Sequence, residues 1–294
     1  MQLGFGATGV WAAPWFDEEK AGEVLGAALD GGINHLDTAG FYTGGLADKR
    51  LARCLERLGA LGRPGLVIST KVGKRITEEG RLVRDFSQDG IRHAIDRHIG
   101  LFGGKPPDIV YMHGPDEHEL HHSLPVLLTL KSEGLIGAIG SCHDGPHLMT
   151  AARADGIDIV MGRYHFLNRA NAESFHIARQ GGKKIVSIAP LAQGLWQRSM
   201  LLPRRMSDLW YLARALRRDP RTFLAAQRSG WIRQVEDWPP AHLALAYVRL
   251  NPEIDVVLTT STRARHVMDT ARGFARDIPP DIRELLAEKG AVTD

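Results

Sequence analysis

The sequence predicts a single-domain α/β protein that folds as a (β/α)8 TIM barrel over residues 1–294. Eight short apolar segments alternate with eight segments whose apolar residues recur at helical spacing. The chain has 294 residues, of which 44% are hydrophobic, and such a barrel needs about 250 residues. Ionisable residues also stand where consecutive strands end, which is where barrels carry their sites. A doubly wound sheet built from the same units is the less favoured alternative.

The first half of the chain contains four strand–helix units. Each strand is a short apolar run, as parallel strands buried on both faces are, and each helix has apolar residues three and four positions apart. The first helix begins near Asp17 and ends at glycines, which commonly terminate helices. The strands are predicted at residues 2–7, 33–37, 65–71 and 107–113, and the helices at 17–32, 46–59, 87–103 and 117–134.

The second half repeats the same alternation, with one long polar and basic interruption between the seventh strand and its helix. That helix begins with prolines, whose missing N–H does no harm in a first turn. The strands are predicted at residues 136–142, 157–164, 183–190 and 254–261, and the helices at 146–156, 171–182, 239–252 and 264–275.

The segment GFGATG at residues 4–9 matches the G-x-G-x-x-G pattern of a dinucleotide-binding turn. Such a turn needs a preceding strand, a helix that opens on the third glycine, and an acidic residue about 20 positions further on. Here hardly any sequence precedes Gly4, and a proline and two tryptophans follow Gly9 before a helix begins. We therefore interpret the segment as the end of the first barrel strand and its loop, where glycines let a ligand approach the backbone.

The composition argues against several classes of protein. The sequence has neither an apolar run of about 20 residues nor a basic N-terminal region followed by an apolar stretch, so we predict no membrane span and no signal peptide. Two cysteines, Cys54 and Cys142, provide neither a disulfide framework nor the spacing of a metal site. These features favour a reducing, cytoplasmic setting. The net charge of +3 does not favour nucleic acid as a partner, and the oligomeric state is not predicted.

Four ionisable side chains are expected at the ends of consecutive strands. Asp37 ends the second strand, Tyr42 follows five residues later, Lys71 ends the third strand and His113 ends the fourth. Each residue alone has an ordinary structural explanation, such as a turn former, a packing residue or a solvated lysine. Burying all four inside an apolar barrel costs free energy of desolvation unless they compensate one another, and this favours a shared chemical role.

The chemistry of these four groups suggests what that role is. A tyrosine normally has a pKa near ~10, and a neighbouring ammonium lowers that pKa because it favours the phenolate. A carboxylate beside the lysine would keep it charged and oriented, and a histidine opposite would orient a carbonyl oxygen. We therefore expect a tuned proton donor for an oxygen that gains negative charge.

Five segments resemble the aldo-keto reductases in their order and spacing: INHLDTAGFY, STKVG, DIVYMHGPD, LKSEGLIGAIG and PPAHLALAYV. The resemblance runs from Leu3 to the region of Ala275, with an interruption after Leu195. The segments DFSQDGIRHAID and YMHGPDEHEL are most similar to the bacterial branch that contains aldose and pyridoxal dehydrogenases. The resemblance implies a barrel that binds extended NADP(H) without a Rossmann domain and transfers a hydride to a carbonyl.

The resemblance also assigns roles to the four strand-end residues. It implies that Tyr42 is the general acid and that Lys71 adjusts its pKa. Asp37 becomes the orienting carboxylate, and His113 orients the substrate. A small-molecule carbonyl compound is the implied substrate, and Trp11, Phe41 and Trp196 are expected to contact it.

Several residues implied around the nicotinamide differ from the family's usual residues. Cys142 and His143 stand where a Ser-Asn pair is usual, Met161 replaces a glutamine, and Ile188 replaces a stacking tyrosine. We expect the ring to be held by different contacts, and Cys142 is either a reactive thiol or, as we favour, a small buried hydrophobe. The cofactor-binding residues implied here are Ala7, Thr8, Cys142, His143, Met161, Ile188, Ala189, Leu191 and Gln193.

The adenosine end of the cofactor is expected in the segment TTSTRARHVMDTA. In the family this loop and helix start bind the 2′-phosphate through basic side chains and a helix N-terminus. A solvated helix start would also explain the arginines, but no acidic residue precedes Asp269, which favours NADP over NAD. The implied residues are Thr260, Ser261, Thr262, Arg263, Arg265 and His266.

Residues 196–238 form the least family-like segment, and we predict a basic helical insertion on the active-site face. The run DLWYLARALRR has a capping-type Asp and an amphipathic pattern. One interpretation is a lid over cofactor or substrate; the other is a solvated or partner-docking surface. RNA binding is not favoured, because no aromatic platform accompanies the arginines.

The function favoured by the sequence is an NADP(H)-dependent oxidoreductase that acts on an aldehyde, a ketone or a sugar hemiacetal. One alternative is a catalytically silent barrel that binds NADP or serves as a regulatory subunit, as the unusual residues around nicotinamide would allow. Another is a barrel that catalyses an elimination or isomerisation. The complete set of Asp37, Tyr42, Lys71 and His113 argues against a silent barrel.

Overall fold

The computed structural model describes residues 1–192, 226 and 229–291. Its strands are β1 (Gln2–Gly6), β2 (His35–Asp37), β3 (Val67–Ile76), β4 (Leu82–Asp85), β5 (Ile109–His113), β6 (Ala138–Cys142), β7 (Ile159–Arg163), β8 (Lys184–Ile188) and β9 (Val256–Thr259). Apart from β4, each strand pairs in parallel with two neighbours, and β1 closes the sheet by pairing with both β2 and β9. The predicted eight-stranded barrel is confirmed.

Helices follow the barrel strands along the chain. They are α1 (Glu18–Asp30), α2 (Leu46–Arg57), α3 (Gln88–Leu101), α4 (Glu117–Ser132), α5 (Pro146–Arg153), α6 (Ala172–Gln180), α7 (Pro240–Arg249), α8 (Ala264–Ala275) and α9 (Pro280–Ala291). As predicted, α1 starts next to Asp17, which caps it by accepting the backbone N–H of Lys20 at 2.9 Å, and α7 has proline in its first turn. The ninth helix, α9, is not predicted by the sequence analysis.

The hairpin formed by β3 and β4 is a second element that the sequence analysis misses. The predicted third strand ends at residue 71, whereas β3 continues to Ile76 and pairs antiparallel with β4. Gly73 has a φ of +93°, and a side chain there would collide with the ring of Phe86. Because this left-handed residue interrupts the sequence pattern that identifies a strand, the predicted third strand ends before the observed one.

The glycine-rich opening of the chain belongs to the barrel and not to a Rossmann turn. β1 ends at Gly6, a single turn of 3-10 helix covers Gly9–Ala12, and α1 begins only at Glu18. A Cβ on Gly4 would collide with the side chain of Leu258, its pairing partner on the neighbouring strand β9. The first glycine therefore serves close packing between β1 and β9, as the barrel interpretation expects.

The barrel interior is packed with side chains. An apolar cluster from five strands fills it: Ile109, Tyr111, Cys142, Ile159, Met161, Val186, Val256 and Leu258. A larger core lies between the outer face of the strands and the helices, and it contains Cys54 of α2. Within the described ranges, no helix is both long and apolar enough to cross a membrane.

A buried arginine fixes the loop that leads from β1 to α1. Arg50 of α2 donates hydrogen bonds to the carbonyl oxygens of Trp11 (2.6 Å), Ala13 (3.0 Å) and Phe16 (2.7 Å) and pairs with Glu18 at 2.9 Å. Its side chain is only 7% exposed. A guanidinium presents several donors in a rigid arrangement, so one side chain satisfies three loop carbonyls and a carboxylate.

Replacing Arg50 by methionine is expected to lower the free energy of unfolding by about 2–4 kcal/mol, because hydrogen bonds of a charged group are lost and their partners stay unsatisfied. Chemical denaturation measures this loss. The matched control is Arg53→Met: Arg53 contacts the same Glu18 at 2.9 Å, but its side chain is 48% exposed. Because exposed ion pairs contribute about 0–1 kcal/mol, the control should unfold almost like the wild type. Equal losses of unfolding free energy in the two variants would show that the buried hydrogen bonds of Arg50 do not stabilise the fold.

Candidate active site

The four ionisable residues predicted at the strand ends meet at the mouth of the barrel. Asp37 of β2 accepts hydrogen bonds from the Lys71 ammonium and, at 2.8 Å, from the Ser69 hydroxyl. Lys71 of β3 also donates to the carbonyl oxygen of Thr38 at 3.1 Å and lies 5.1 Å from the ring centroid of Tyr42. The carboxylate and the ammonium are both buried, so each compensates the desolvation of the other.

Tyr42, His113 and Phe41 form an aromatic group next to this pair. The ring centroid of Phe41 lies 5.0 Å from that of Tyr42 and 5.0 Å from that of His113. The rings of Tyr42 and His113 stand edge to face, with their centroids 6.1 Å apart. The predicted substrate contact Phe41 therefore lies beside the two groups predicted to act on the substrate oxygen.

The ionisation of Tyr42 differs from the expectation based on the sequence. Burial raises the pKa of Tyr42 to about 12, while the Lys71 ammonium acts in the opposite direction and Asp37 adds to the increase. The expected lowering by the ammonium is present but smaller than the effect of desolvation. Because desolvation is the largest effect and Asp37 opposes the lysine, the phenol stays protonated well above neutral pH.

Burial also governs the other ionisable groups at the mouth. It lowers the pKa of His113 to about 3, and the nearby ammonium groups of Lys71 and Lys74 add to this effect. The imidazole is therefore neutral, and its Nδ1 has no hydrogen-bond partner among the described residues. For Lys71, burial is the largest single effect and acts to lower the pKa, but Asp37, Tyr42 and Cys142 together raise the pKa above its usual value, so the ammonium stays charged.

A buried hydrogen-bond network holds the loop that carries Tyr42. Asp48 of α2 accepts from the Thr38 hydroxyl at 2.6 Å and from Arg97 of α3 at 2.6 Å. Between these anchors the chain turns sharply, with positive φ at Thr43, Gly44 and Gly45. No local sequence pattern predicts this network, because residues 49 positions apart meet in it.

The residues predicted to replace the family's usual nicotinamide ligands are buried or half-buried in or next to β6, β7 and β8. Burial raises the pKa of the Cys142 thiol to about 12, which supports the interpretation as a small buried hydrophobe rather than a reactive thiolate. Nδ1 of the half-buried His143 lies 2.8 Å from the backbone nitrogen of Asp144 and 2.6 Å from its oxygen. Met161 is fully buried in the barrel interior. Contacts of these residues with a cofactor stay a prediction.

The other predicted cofactor residues follow β1, β8 and β9. Ala7 is buried and Thr8 is partly exposed directly after β1. Ala189, at the end of β8, has a φ of +56°, a conformation that non-glycine residues adopt rarely and that concentrates at functional sites. Ile188 and Leu191 beside it are half-buried, whereas Gln193 lies outside the described residues.

The segment predicted to bind the adenosine end has the expected geometry. Thr260, Ser261 and Thr262 form the loop after β9, and Arg263 is the residue that immediately precedes the first turn of α8. Arg263 makes no side-chain capping bond, and the first turn of α8 contains no acidic residue. The exposed side chains that surround this helix start are Arg263, Arg265 and His266.

Of the two tryptophans predicted to contact the substrate, one lies among the described residues. Trp11 is 0% exposed, packs edge to face on Phe5 and donates its indole N–H to the carbonyl oxygen of Ala21 at 3.2 Å. The predicted substrate contact through Trp11 is therefore wrong, because its ring lies in the core outside the barrel. Trp196 lies outside the described residues.

Most of the predicted insertion 196–238, including the proposed amphipathic helix, also lies outside the described residues. Its described end contains a short 3-10 helix, Gly230–Arg233. The guanidinium of Arg276 stacks 3.9 Å above the ring centroid of Trp238, which fixes the chain where it enters α7. The described residues contain no cluster of three His, Cys, Asp or Glu side chains suited to a metal ion.

Comparison with known proteins adds an independent finding. A sequence profile of the Aldo/keto reductase family matches residues 2–289. A D-threo-aldose 1-dehydrogenase of a Pseudomonas species is 30% identical over 225 residues, which cover 67% of this chain and 68% of that protein. The pyridoxine 4-dehydrogenase of Escherichia coli is 29% identical over 203 residues, covering 65% and 69% of the two chains. These matches confirm the resemblance inferred from the sequence.

A solved structure shares the fold over almost the entire length of the chain. An aldo-keto reductase of Bacillus halodurans, determined in its holo form, superimposes with a TM-score of 0.78 at 22% sequence identity. The match covers 98% of this chain and 91% of that one. At this identity the likeness supports the barrel architecture.

Proposed function

Because the chain belongs to the aldo/keto reductase family, we propose that it is an NADP(H)-dependent oxidoreductase that transfers a hydride between nicotinamide and an aldehyde, a ketone or a sugar hemiacetal. Family membership and dehydrogenase relatives support an oxidoreductase for carbonyl or sugar substrates. The observation that carries the finer proposal is the meeting of Asp37, Tyr42, Lys71 and His113 at the barrel mouth.

Each of the four residues has a role that fits its surroundings. Tyr42 is protonated at neutral pH and donates its proton to the carbonyl oxygen as that oxygen gains charge. The Lys71 ammonium, held by Asp37, stabilises the developing negative charge next to the phenol. Neutral His113 orients the substrate oxygen through a ring nitrogen. A bound nicotinamide ring would supply the hydride.

The start of α8 fits the phosphate of such a cofactor. Its first backbone N–H groups lack a side-chain cap, and arginines surround them instead of the carboxylates that stabilise a helix N-terminus. This surplus of positive charge matches an anion with about two negative charges, such as a 2′-phosphate. Arg263, nearest the loop, is the residue that we expect to bind the phosphate, with Thr260 to Thr262 offering hydroxyl groups.

The Arg263→Ala variant is expected to bind NADPH about ten- to a hundredfold more weakly, because a hydrogen bond to a charged group typically contributes about 1.5–3 kcal/mol. NADH binding should hardly change, since NADH lacks the 2′-phosphate. Calorimetric titration of both cofactors measures these affinities. Arg265→Ala is the matched control, because neighbouring residues on a helix point in different directions and only one of the two should reach the phosphate. Equal losses for both cofactors, or tighter wild-type binding of NADH, would exclude the NADP assignment.

The proposed reaction is tested directly with purified protein, NADPH and a panel of aldehydes, ketones and aldoses. Consumption of NADPH, or its formation from NADP⁺ and an aldose, supports the proposal. Cofactor binding with no turnover of any panel member favours the silent barrel. Conversion of a substrate without a change in NADPH favours an elimination or isomerisation. Failure of both cofactors to change the fluorescence of the protein excludes the proposed cofactor.

A further inference from the structure

The hairpin of β3 and β4 places a second lysine at the mouth of the barrel. Lys74 lies three residues after Lys71, beyond the left-handed Gly73. In a regular strand Lys74 would point to the same side as Val72, which is buried in the core beneath the helices. The unusual backbone at Gly73 turns Lys74 toward the mouth instead, where its ammonium lies 6.0 Å from the ring centroid of Phe41. Backbone irregularities of this kind often re-aim a side chain next to an active site.

Lys74 has no ion-pair partner among the described residues, although its side chain is partly buried. In the pairing of β3 with β4 it lies directly opposite Arg84, and like charges in this position destabilise a sheet. Arg84 donates hydrogen bonds to both carboxylate oxygens of Glu119, from Nε at 2.9 Å and from Nη2, so this carboxylate already has a partner. Burial and Arg84 both lower the pKa of Lys74, and together they outweigh the smaller opposite effects of Cys142 and Glu119.

The space in front of Lys74 is lined by groups that suit an anion next to the reaction centre. A Cβ placed on Gly114 would lie 3.5 Å from Lys74 Nζ and 3.8 Å from His143 Nε2, so both nitrogens border the same space. Nδ1 of His143 is engaged by the backbone of Asp144, which leaves Nε2 as the ring nitrogen that faces this space. Gly114 follows directly after His113, and its φ of +67° favours glycine. The carbonyl oxygen of Gly114 accepts a hydrogen bond from Arg84 at 2.9 Å, which ties the hairpin to β5.

We propose that Lys74 and His143 form an anion subsite that selects carbonyl substrates carrying a carboxylate or a phosphate group. In this arrangement His143 contacts the substrate, in place of the nicotinamide contact that the family resemblance implies. Lys74 is then a specificity-determining residue, since it binds the anionic end of the substrate while Tyr42 and His113 act on the carbonyl oxygen. The proposal rests on the proposed oxidoreductase function, and it narrows the substrate class to anionic aldehydes or ketones. It also explains an unpaired, partly buried ammonium held opposite an arginine.

The test compares aldehydes that differ in one anionic group. The full-length protein with NADPH is assayed on 4-oxobutanoate against butanal, and on glyceraldehyde 3-phosphate against glyceraldehyde. We expect a higher kcat/KM for the anionic member of at least one pair, and the preferred pair distinguishes a carboxylate from a phosphate. In Lys74→Met this kcat/KM should fall about ten- to a hundredfold, as expected for the loss of a charge-assisted contact, while the neutral partner is unchanged. Lys74→Arg should retain most of the preference.

A control variant and a binding measurement accompany these assays. Arg81→Met removes one positive charge from the exposed end of the same hairpin, where Arg81 is 77% exposed, and should leave the preference unchanged. Succinate and inorganic phosphate, which cannot be reduced, are titrated calorimetrically into the protein with NADPH. At least one should bind to the wild type and to Arg81→Met, and more weakly to Lys74→Met. Thermal unfolding verifies that each variant is folded.

The outcomes separate this proposal from the proposed function. If the aldehydes are turned over without a preference for either anionic one, or if Lys74→Met loses equally on anionic and neutral substrates, the subsite is overturned. Weaker NADPH binding in Lys74→Met with an unchanged substrate preference also overturns it, because Lys74 would then serve the cofactor. Binding of succinate or phosphate that depends on Lys74, without turnover of any carbonyl compound, keeps the anion site and rejects the oxidoreductase function.

Discussion

Replacing Tyr42 by phenylalanine is expected to lower turnover by about 10²–10⁴-fold, which is the range that general acid catalysis contributes. The change removes one hydroxyl group and keeps the ring that packs against Phe41 and His113. Folding and NADPH affinity should therefore stay close to those of the wild type. Steady-state kinetics, thermal unfolding and calorimetric titration with NADPH measure the three quantities. A variant with near wild-type turnover would show that Tyr42 is not the proton donor.

The pH dependence of the wild type provides a second readout of the same residue. Since the pKa of Tyr42 is raised to about 12, the acid form predominates at neutral pH, and Tyr42 should cause no alkaline decline of carbonyl reduction below about pH 10. Oxidation needs the phenolate, so its rate should rise with pH over the same interval. In Tyr42→Phe this rise should disappear. A rise that persists in the variant would assign it to another group.

The repeating pattern of the chain was sufficient to predict the barrel. Eight alternations of apolar runs with helical spacing leave few arrangements other than a closed parallel sheet. The elements that the sequence analysis misses are those in which the pattern is broken or short. The hairpin depends on the left-handed Gly73, and α9 follows the last strand–helix unit, so no repeat marks it.

The positions of the candidate site residues could be predicted where strand ends alone determine them. Asp37, Lys71 and His113 meet because the carboxyl ends of neighbouring parallel strands share one face of the barrel. The predicted contact of Trp11 with the substrate was wrong, because a residue in a loop can turn toward the core as easily as toward the mouth of the barrel. The same limit applies to Arg97, whose contact with Asp48 joins two helices and has no local signal.

The ionisation of Tyr42 illustrates what composition and spacing cannot provide. A lysine near a tyrosine predicts a lower pKa, but the sign of the total shift depends on how deeply the phenol is buried and how completely the lysine is neutralised. Here Asp37 binds the ammonium, and the desolvation of Tyr42 raises its pKa by more than the ammonium lowers it. The unpaired Lys74 is a comparable case, since only the structure shows that Arg84 already occupies Glu119.

Lys71→Met is expected to lower turnover by about 10²–10³-fold, the range observed when one group that stabilises the developing oxyanion is removed. It should also lower the free energy of unfolding by about 3–5 kcal/mol, because the Asp37 carboxylate would be left buried without its partner. Steady-state kinetics and chemical denaturation measure the two losses. Because the variant loses both, it cannot by itself separate a chemical role of Lys71 from a structural one.

The double variant Asp37→Asn/Lys71→Met makes that separation. It removes both charges together, and the amide oxygen that replaces the carboxylate can still accept the hydrogen bond that Ser69 gives to Asp37. Replacing a buried ion pair as a unit is often nearly neutral for stability, so most of the lost free energy of unfolding should return. Turnover should stay as low as in Lys71→Met, because the ammonium that stabilises charge beside Tyr42 is still missing. If turnover returned together with stability, Lys71 would act only by supporting the fold, and its assignment to the chemical step would be rejected.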